Sequence, residues 1–395
     1  MQAGHIKILP VIVIAQFFCT SMWFAGNVVL PDLVSSYNIS AGTLGHIITA
    51  VQFGFITGTL LYAVFLIADR FSAPTVFFCS ASLASLANVF MIYFESNLWA
   101  LLLMRFFTGF FLAGIYPVGM KIAADHFEKG LGTALGFLVG ALVVGTALPH
   151  LFKSLATQFP WKSVLYFTSA LSFTGGLGML LLVPSKPATH KTSKLNYRKV
   201  LGSFKNRPFI KAAVGYFGHM WELYAFWAFV PFLLVTYKNI HPGVPLDISR
   251  ISFYVIAGGG FACVASGYLS KLFGVKKIAF SALLLSGVCC LISPLAFYLP
   301  LIPFMGFVIF WGFVVIADSP LFSTMVAQHA IKEAKGTAIT FITCIGFSIT
   351  IVSIELLNYL SLNFNSRYIF MMLALGPIVG LLGMIPVRLK TVIAA

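Results

Sequence analysis

Charged residues are scarce in this chain. Asp, Glu, Lys and Arg make up 9% of its 395 residues, against about a quarter in a water-soluble protein. So few polar groups do not cover a soluble surface of this size, which excludes a soluble enzyme, a nucleic-acid-binding domain and a disordered segment. Also missing are a phosphate-cradling loop, a Gly-x-Gly-x-x-Gly turn after a strand and a Gly-x-Ser-x-Gly nucleophile elbow. Nucleotide-driven work, enzymatic catalysis and a bound cofactor are therefore not expected. The six cysteines (Cys19, Cys79, Cys263, Cys289, Cys290 and Cys344) fall in apolar segments without metal-type spacing, and are expected as buried small hydrophobes. What is abundant is apolar surface: 59% hydrophobic residues, 41 Phe and 34 Gly, with a mean hydropathy of +0.97. Phenylalanine suits a lipid-facing helix, and glycine lets neighbouring helices approach closely.

Acidic residues are rarer than basic ones, 10 against 25. In a soluble protein that excess would suggest nucleic acid; here its distribution decides. Lys186, Lys191, Lys194, Arg198, Lys199, Lys205 and Arg207 crowd one polar stretch that contains no acid. Other basic residues fall in alternate short loops, as cytoplasmic segments require, with contact to anionic lipid as a secondary role.

A bilayer core needs about 20 apolar residues per helix. Twelve segments qualify, near 9–30, 44–67, 75–94, 98–121, 131–152, 162–183, 209–237, 249–273, 277–298, 301–327, 337–361 and 367–388. The first is long enough to span and has no clear small-residue cleavage site, so a cleavable leader is not expected. An even number of spans puts both termini on the side of the basic stretch. About 18 Lys and Arg then face the cytoplasm and about five face outside. The expected setting is a bacterial inner membrane, and the sequon Asn38-Ile39-Ser40 is set aside as chance.

The chain repeats itself at an offset near 200 residues. Gly109-Phe-Phe-Leu-Ala-Gly-Ile-Tyr-Pro117 aligns with Gly312-Phe-Val-Val-Ile-Ala-Asp-Ser-Pro320, and Gly132-Thr133-Ala134-Leu135 with Gly336-Thr337-Ala338-Ile339. Pro31 and Tyr37 match Pro231 and Tyr237. The expected fold is an all-α membrane protein of twelve helices in two six-helix repeats. Its units are a bundle over 1–183, a basic linker over 184–208 and a second bundle over 209–395.

This plan resembles the major facilitator superfamily. That family's loop after the second helix reads Gly-x-Leu-x-Asp-Arg-x-Gly-Arg-Arg. The second half has Gly267-Tyr-Leu-Ser-Lys271-Leu-Phe-Gly274-Val-Lys276-Lys277, with Lys271 in place of the acid. The first half keeps Asp69-Arg70 but has Phe65 and Ser72 for the glycines. Arg105 and Gly109 match the family's Arg-x-x-x-Gly in the fourth helix. The drug-antiporter motif of the fifth helix is incomplete, because Pro149-His150 replaces Gly-Pro. The resemblance implies a secondary transporter whose first, fourth, seventh and tenth helices line a central cavity. It implies Asp69, Arg70, Gly267, Lys271 and Gly274 as gating-loop residues.

Ionisable groups inside a bilayer cost at least about 2.5–3.5 kcal/mol each, so those that persist line a cavity or pair with one another. Four qualify: Arg105, Glu222, Asp318 and Glu355. Glu222 lies about 20 Å along its helix from Phe209, near mid-membrane. Asp318 stands where the first repeat has Ile115, and could serve transport or pin the Pro320 kink. Arg105 is a substrate-anion anchor or a structural partner, and Glu355 lies nearer the outer mouth. His219 shares a face with Glu222; it could pack, tune a proton site or bind metal, although two ligands are too few for a metal alone. His46, His150 and His329 are expected near helix ends, in contact with solvent or headgroups. Gln16, Thr20, Trp23 and Asn27 form a polar stripe on one face of the first helix. Trp221, Tyr224 and Trp227 put aromatic surface around Glu222, as packing or as a substrate wall, and Tyr116 beside Pro117 is a further cavity candidate on the fourth helix.

The expected activity is alternating-access transport of a small polar or anionic solute, coupled to protons through Glu222 and Asp318, by a monomer. Export of a divalent cation or an amphiphile, and a non-transporting receptor on the same fold, are the rivals.

Overall fold

The computed structural model describes residues 3–37, 42–94, 97–127, 131–156, 158–185, 202–331 and 335–385. Most of the basic stretch 184–208 and the Asn38–Ser40 sequon lie outside them. The described residues form helices and no strand. Eleven are long and apolar enough to cross a membrane, and the twelfth apolar helix, Ile369–Met384, is shorter than expected.

In chain order they are α1a (Ala3–Thr20) and α1b (Ala25–Tyr37), α2 (Thr43–Val64), α3 (Ala73–Phe90), α4a (Leu98–Leu112) and α4b (Tyr116–His126), α5 (Leu131–Leu155) and α6 (Lys162–Leu182). The second half has α7 (Arg207–Ile240), α8 (Ile248–Phe273), α9 (Val275–Ala296), α10a (Leu301–Ala317) and α10b (Ser319–His329), α11 (Lys335–Asn363) and α12 (Ile369–Met384). Polar caps start two of them: the side chains of Asn97 and Asp247 accept from the backbone N–H of Ala100 and Arg250, satisfying donors that helix geometry leaves unpaired. Proline opens α3, α4b, α7 and α10b, where its missing N–H costs nothing. Gly274 makes the one-residue turn from α8 to α9 at φ 92°, which a side chain would strain.

Three of the four expected cavity helices are broken. The tenth breaks at Asp318, just before Pro320, and the fourth breaks over 113–115 before Pro117. Ile115 and Asp318, aligned in the repeat, both occupy the N-cap of the second segment. The break in the first helix, over 21–24, has no proline. There the ladder tightens to i→i+3 bonds, as in Trp23 N–H to Thr20 O at 3.0 Å. The hydroxyls of Thr20 and Ser21 bond back to Gln16 O and Phe18 O, a local competition that loosens helices.

The repeat is visible in the packing. A Cβ on Gly109 would lie 2.0 Å from the Val51 carbonyl oxygen, and one on Gly312 would lie 2.2 Å from that of Val255. The same backbone-to-backbone approach thus joins α4a to α2 and α10a to α8.

The two groups of six helices touch along α5 with α8 and α2 with α11. Gly140 and Gly260 meet midway, where a Cβ on Gly260 would lie 3.3 Å from the Gly140 oxygen. At the end of the bundle opposite the linker, called the far end here, polar groups cross between the groups. The Ser154 hydroxyl donates to Asp247 Oδ2 at 2.6 Å, Thr49 donates to Glu355 Oε1 at 2.7 Å, and Asn358 donates to the Gly42 carbonyl at 2.8 Å. His46 Nδ1 lies 3.1 Å from the same Glu355 oxygen. Three expectations are corrected. Cys79 is exposed on the helical surface while the other five cysteines are buried, because position 79 faces outward from α3. His150 is buried within α5 rather than at a wet end. The seventh helix runs on to Ile240, beyond residue 237.

Candidate functional site

Breaks in a membrane helix free backbone groups that need partners, and Arg105 supplies them here. It reaches from α4a to the break in the first helix, where Nη1 donates to Met22 O at 3.1 Å and Nη2 donates to Trp23 O. Its Nε has no partner within the protein. Gly26 makes room for it, since a Cβ there would lie 2.7 Å from Nε. Arg105 is fully buried, and among the described residues no carboxylate pairs with it. Glu355 lies at the far end, where it contacts His46 and accepts from Thr49.

His219 and Glu222 share one helical face by spacing, yet they serve different neighbours. Glu222 turns toward α9 and α10a, where it accepts from Trp311 Nε1 at 2.8 Å, Ser286 Oγ at 2.8 Å and Cys290 Sγ at 3.2 Å. It is thus held inside the second group of helices, not between the groups. His219 Nδ1 lies 2.7 Å from Asp318 Oδ1, both side chains being buried. The approach is off the ring N–H direction, so neither residue has an aligned hydrogen bond. The contact joins α7 to the start of α10b. Asp318 does not cap α10b with its side chain, which leaves the carboxylate to face α7.

The polar stripe of the first helix divides. The Thr20 hydroxyl is satisfied by its own helix and abuts α5 at Gly145. Gln16 abuts α4b at Gly119, and both atoms of its amide lack partners. Trp23 meets rings from three other helices: Phe55 of α2 at 5.0 Å, Tyr224 of α7 at 5.7 Å and Phe347 of α11 at 5.8 Å. Phe55 and Phe347 also touch, at 4.7 Å, as do Tyr224 and Phe347 at 5.1 Å. These rings form one layer across the interface. Such tilted and edge-on pairs add about 0.5–1.5 kcal/mol each beyond their buried area. Tyr116 opens α4b, half-buried beside Pro117. Trp221 points away from the interface and donates to Met372 O in α12 at 3.2 Å.

About one helical turn to the far side of that layer lies a set of buried polar atoms without partners. They are both amide atoms of Asn27 and of Gln52, with Nε1 of Trp227, Nε1 of Trp23 itself and Nε of Arg105. Gln52, Phe55 and Phe347 were not singled out in the sequence. The spacing of Gln52, Phe55 and Thr59 repeats the helix-face pattern that drew attention to the first helix.

The gating-loop residues stay within their own groups of helices. Asp69 and the carbonyl of Ala68 accept from Lys121 in the middle of α4b, and Leu66 before them adopts a left-handed φ of 51°. Lys271 lies over the ring of Tyr268, 5.2 Å from its centroid, and Gly267 has open space where a side chain would be. Among the described residues no three His, Cys, Asp or Glu side chains group as metal ligands.

The Major Facilitator Superfamily family model matches residues 12–354. The chain is 27% identical over 213 residues to the uncharacterized transporter YgaY of Escherichia coli O157:H7, covering 51% of each protein. It is 30% identical over 172 residues to the niacin transporter NiaP of Acinetobacter baylyi, covering 37% of each. The chain therefore spans about half, or less, of the length of these curated relatives. The crystal structure of the nucleoside transporter NupG superposes with a TM-score of 0.70 at 15% identity, over 96% of this chain and 98% of that one.

Proposed function

The chain belongs to the Major Facilitator Superfamily, and from that premise we propose that it is a secondary transporter. It moves a small polar or anionic solute by alternating access, as residues 1–183 and 209–395 rock about the α5–α8 and α2–α11 contacts. The observation that carries this reading is that buried polar groups on the first, second, fourth and seventh helices, among them Gln16, Asn27, Gln52 and Trp227, have no partner among the described residues. An unsatisfied buried polar group costs about 1–3 kcal/mol, so a molecule that retains several gains from an occupant that satisfies them.

Proton coupling belongs to Asp318 with His219. The pair sits at the break of one interface helix, and its protonation changes whether α10b is tied to α7. Glu222, held by three donors, anchors α10a to α7 while α10b moves. The basic stretch and both termini face the cytoplasm of a bacterial cell, and the protein works as a monomer. Cysteines placed at Lys194 and Lys238 will label from opposite sides; reaction of position 194 with an impermeant reagent on intact cells reverses the topology.

The test of function is a proteoliposome screen of solute pools, read as uptake with and without an imposed pH gradient. Uptake that the gradient increases supports the reading. No uptake of any pool under either condition removes it.

A further inference from the structure

The second segment of the tenth helix, α10b, rests chiefly on α7, and two contacts one turn apart make the seat. At the break, Asp318 Oδ1 lies 2.7 Å from His219 Nδ1. One turn toward the linker end, the ring of Phe322 abuts Gly215, where a Cβ would stand 2.3 Å from Cε1 and 3.0 Å from Cζ. Residues four apart share a helix face, so Asp318 and Phe322 on α10b meet His219 and Gly215 on α7 as two matched pairs. The Phe322 ring also flanks the imidazole, with centroids 6.2 Å apart. Phe322 is fully buried, and its backbone N–H donates to the Asp318 carbonyl at 2.9 Å. Ring and acid thus sit on one turn of backbone and move together.

This seat belongs to the second half alone. Counting from the aligned prolines, Phe322 stands opposite Gly119 and Gly215 opposite Ala15. In the first half the notch is on the other helix: Gly119 of α4b faces Gln16 of α1a, where a Cβ would lie 2.8 Å from Oε1. A flexible amide fills that notch, whereas a stiff ring fills the one in α7. Asp318 and His219 stand opposite Ile115 and Cys19, and Cys19 donates instead to the Ser172 carbonyl. The ring in its notch and the buried pair therefore occur in the same copy.

A slide of α10b by one residue would carry Asp318 about 1.5 Å along the axis, enough to part so short a contact. The other titratable side chains around the pair do not hold it in register. Glu222 is taken by Trp311, Ser286 and Cys290, and Cys263 of α8 donates to the Ile316 carbonyl at 3.6 Å. Tyr216 packs against Gly346 of α11, its ring 6.2 Å from the imidazole. Among the described residues none of the three pairs with Asp318. We infer that Phe322 seated on Gly215 is the positioning contact of the Asp318–His219 pair, fixing α10b on α7 so that the carboxylate stays beside the imidazole. This deepens the proton-coupling reading and rests on it only for the transport arm of the test.

In proteoliposomes, the ratio of solute-pool uptake with an imposed pH gradient to uptake without it measures coupling, whatever fraction of the protein is folded. Gly215→Ala should lose the stimulation, as Asp318→Asn does, because the added methyl displaces the ring. Gly215→Ala with Phe322→Leu should regain it, since the shorter side chain leaves room for the methyl. The methyl's third neighbour, Met384 Sδ at 3.1 Å, ends a flexible side chain and yields. Gly383→Ala is the control: its methyl meets Val214 Cγ1 of α7 at 2.4 Å, a similar conflict on the α12 side, and it should keep the stimulation. If Gly215→Ala does not fold, Phe322→Leu is read instead; it empties the notch, should weaken the stimulation, and should recover when Gly215→Ala is added. Stimulation unchanged in Gly215→Ala, lost equally in Gly383→Ala, or not regained in the double variant overturns the inference.

The second arm is unfolding of the purified full-length protein. The change that Asp318→Asn makes in the folded-to-unfolded ratio should vanish in the Gly215→Ala background, where the contact it removes is already broken. Equal changes in both backgrounds overturn the inference even if Asp318 couples transport. If the two substitutions are not additive and no pool shows stimulated uptake in the parent, the positioning contact stands and the coupling reading falls.

Discussion

Substituting Arg105 by lysine separates two roles that a buried cation can have. In the structure the guanidinium fork donates to Met22 O and Trp23 O at the break of the first helix. Hydrogen bonds from a charged donor contribute about 1.5–3 kcal/mol each. Lysine keeps the charge but is a point donor without the planar fork, so it can serve one carbonyl and leaves the other bare. The expected loss is that of one such bond, about 1.5–3 kcal/mol, or roughly 10- to 150-fold in the ratio of folded to unfolded protein. Solute uptake by the folded protein should fall far less, because the charge remains. The assay pairs unfolding in a denaturing detergent with solute uptake at a temperature where both proteins stay folded. Gly26→Ala gives an independent check, since its methyl would sit 2.7 Å from Nε and 2.9 Å from Cδ. Its penalty should be smaller in the lysine background, with a coupling of about 0.5–3 kcal/mol. Unchanged stability in Arg105→Lys, together with strict additivity with Gly26→Ala, would refute the claim that the fork braces the helix break.

Gly109→Ala and Gly312→Ala should each destabilise by about 1–3 kcal/mol, because their methyl groups would meet backbone oxygens at 2.0 and 2.2 Å; Gly136→Ala, with nothing within 4 Å, should be neutral in the same unfolding assay. Asp318→Asn should abolish accumulation driven by a pH gradient while sparing exchange of labelled for unlabelled solute, whereas Glu222→Gln should keep gradient-driven accumulation. The reverse pattern would transfer coupling to Glu222. Burial alone would raise the carboxyl of Asp247, but the Arg250 N–H, the Ser154 hydroxyl and the Arg250 charge outweigh it and hold it below its ordinary value of 3.8. Its stabilisation of the α5–α8 contact is therefore full above about pH 4 and fades as pH falls through the lowered value. Acid unfolding below pH 4 should narrow the gap between the parent and Asp247→Asn; a gap that widens contradicts the sign.

The spans were legible because hydropathy accumulates along the chain, so twelve apolar runs of sufficient length stand out whatever they pack against. The tenth-helix break was legible from Pro320, and its counterpart from Pro117, because proline removes a ladder donor. The first-helix break carries no proline. It depends on Thr20 and Ser21 hydroxyls and on Arg105, more than eighty positions away, and a local reading contains neither. The pairing of His219 with Glu222 failed for a geometric reason: residues three apart differ by about 60° around a helix, enough to send one side chain to Asp318 and the other to Trp311. His46 and Glu355 are 309 positions apart, and only the tertiary contact of α2 with α11 joins them. The aromatic layer was partly foreseen through Trp23 and Tyr224, while Phe55 and Phe347 were two among 41 phenylalanines.

The paired breaks at Ile115 and Asp318 have a consequence for how such a chain acquires an energy source. Both copies inherit the joint, with a proline at its outgoing side and the same cap position, but one copy holds a branched hydrocarbon there and the other an acid. Shape and power supply are thus written at separate letters of the sequence. A single codon change can electrify or silence a joint without redrawing it, and a duplicated ancestor need only have altered one of its two copies to make a symmetrical frame respond to a gradient that has a direction.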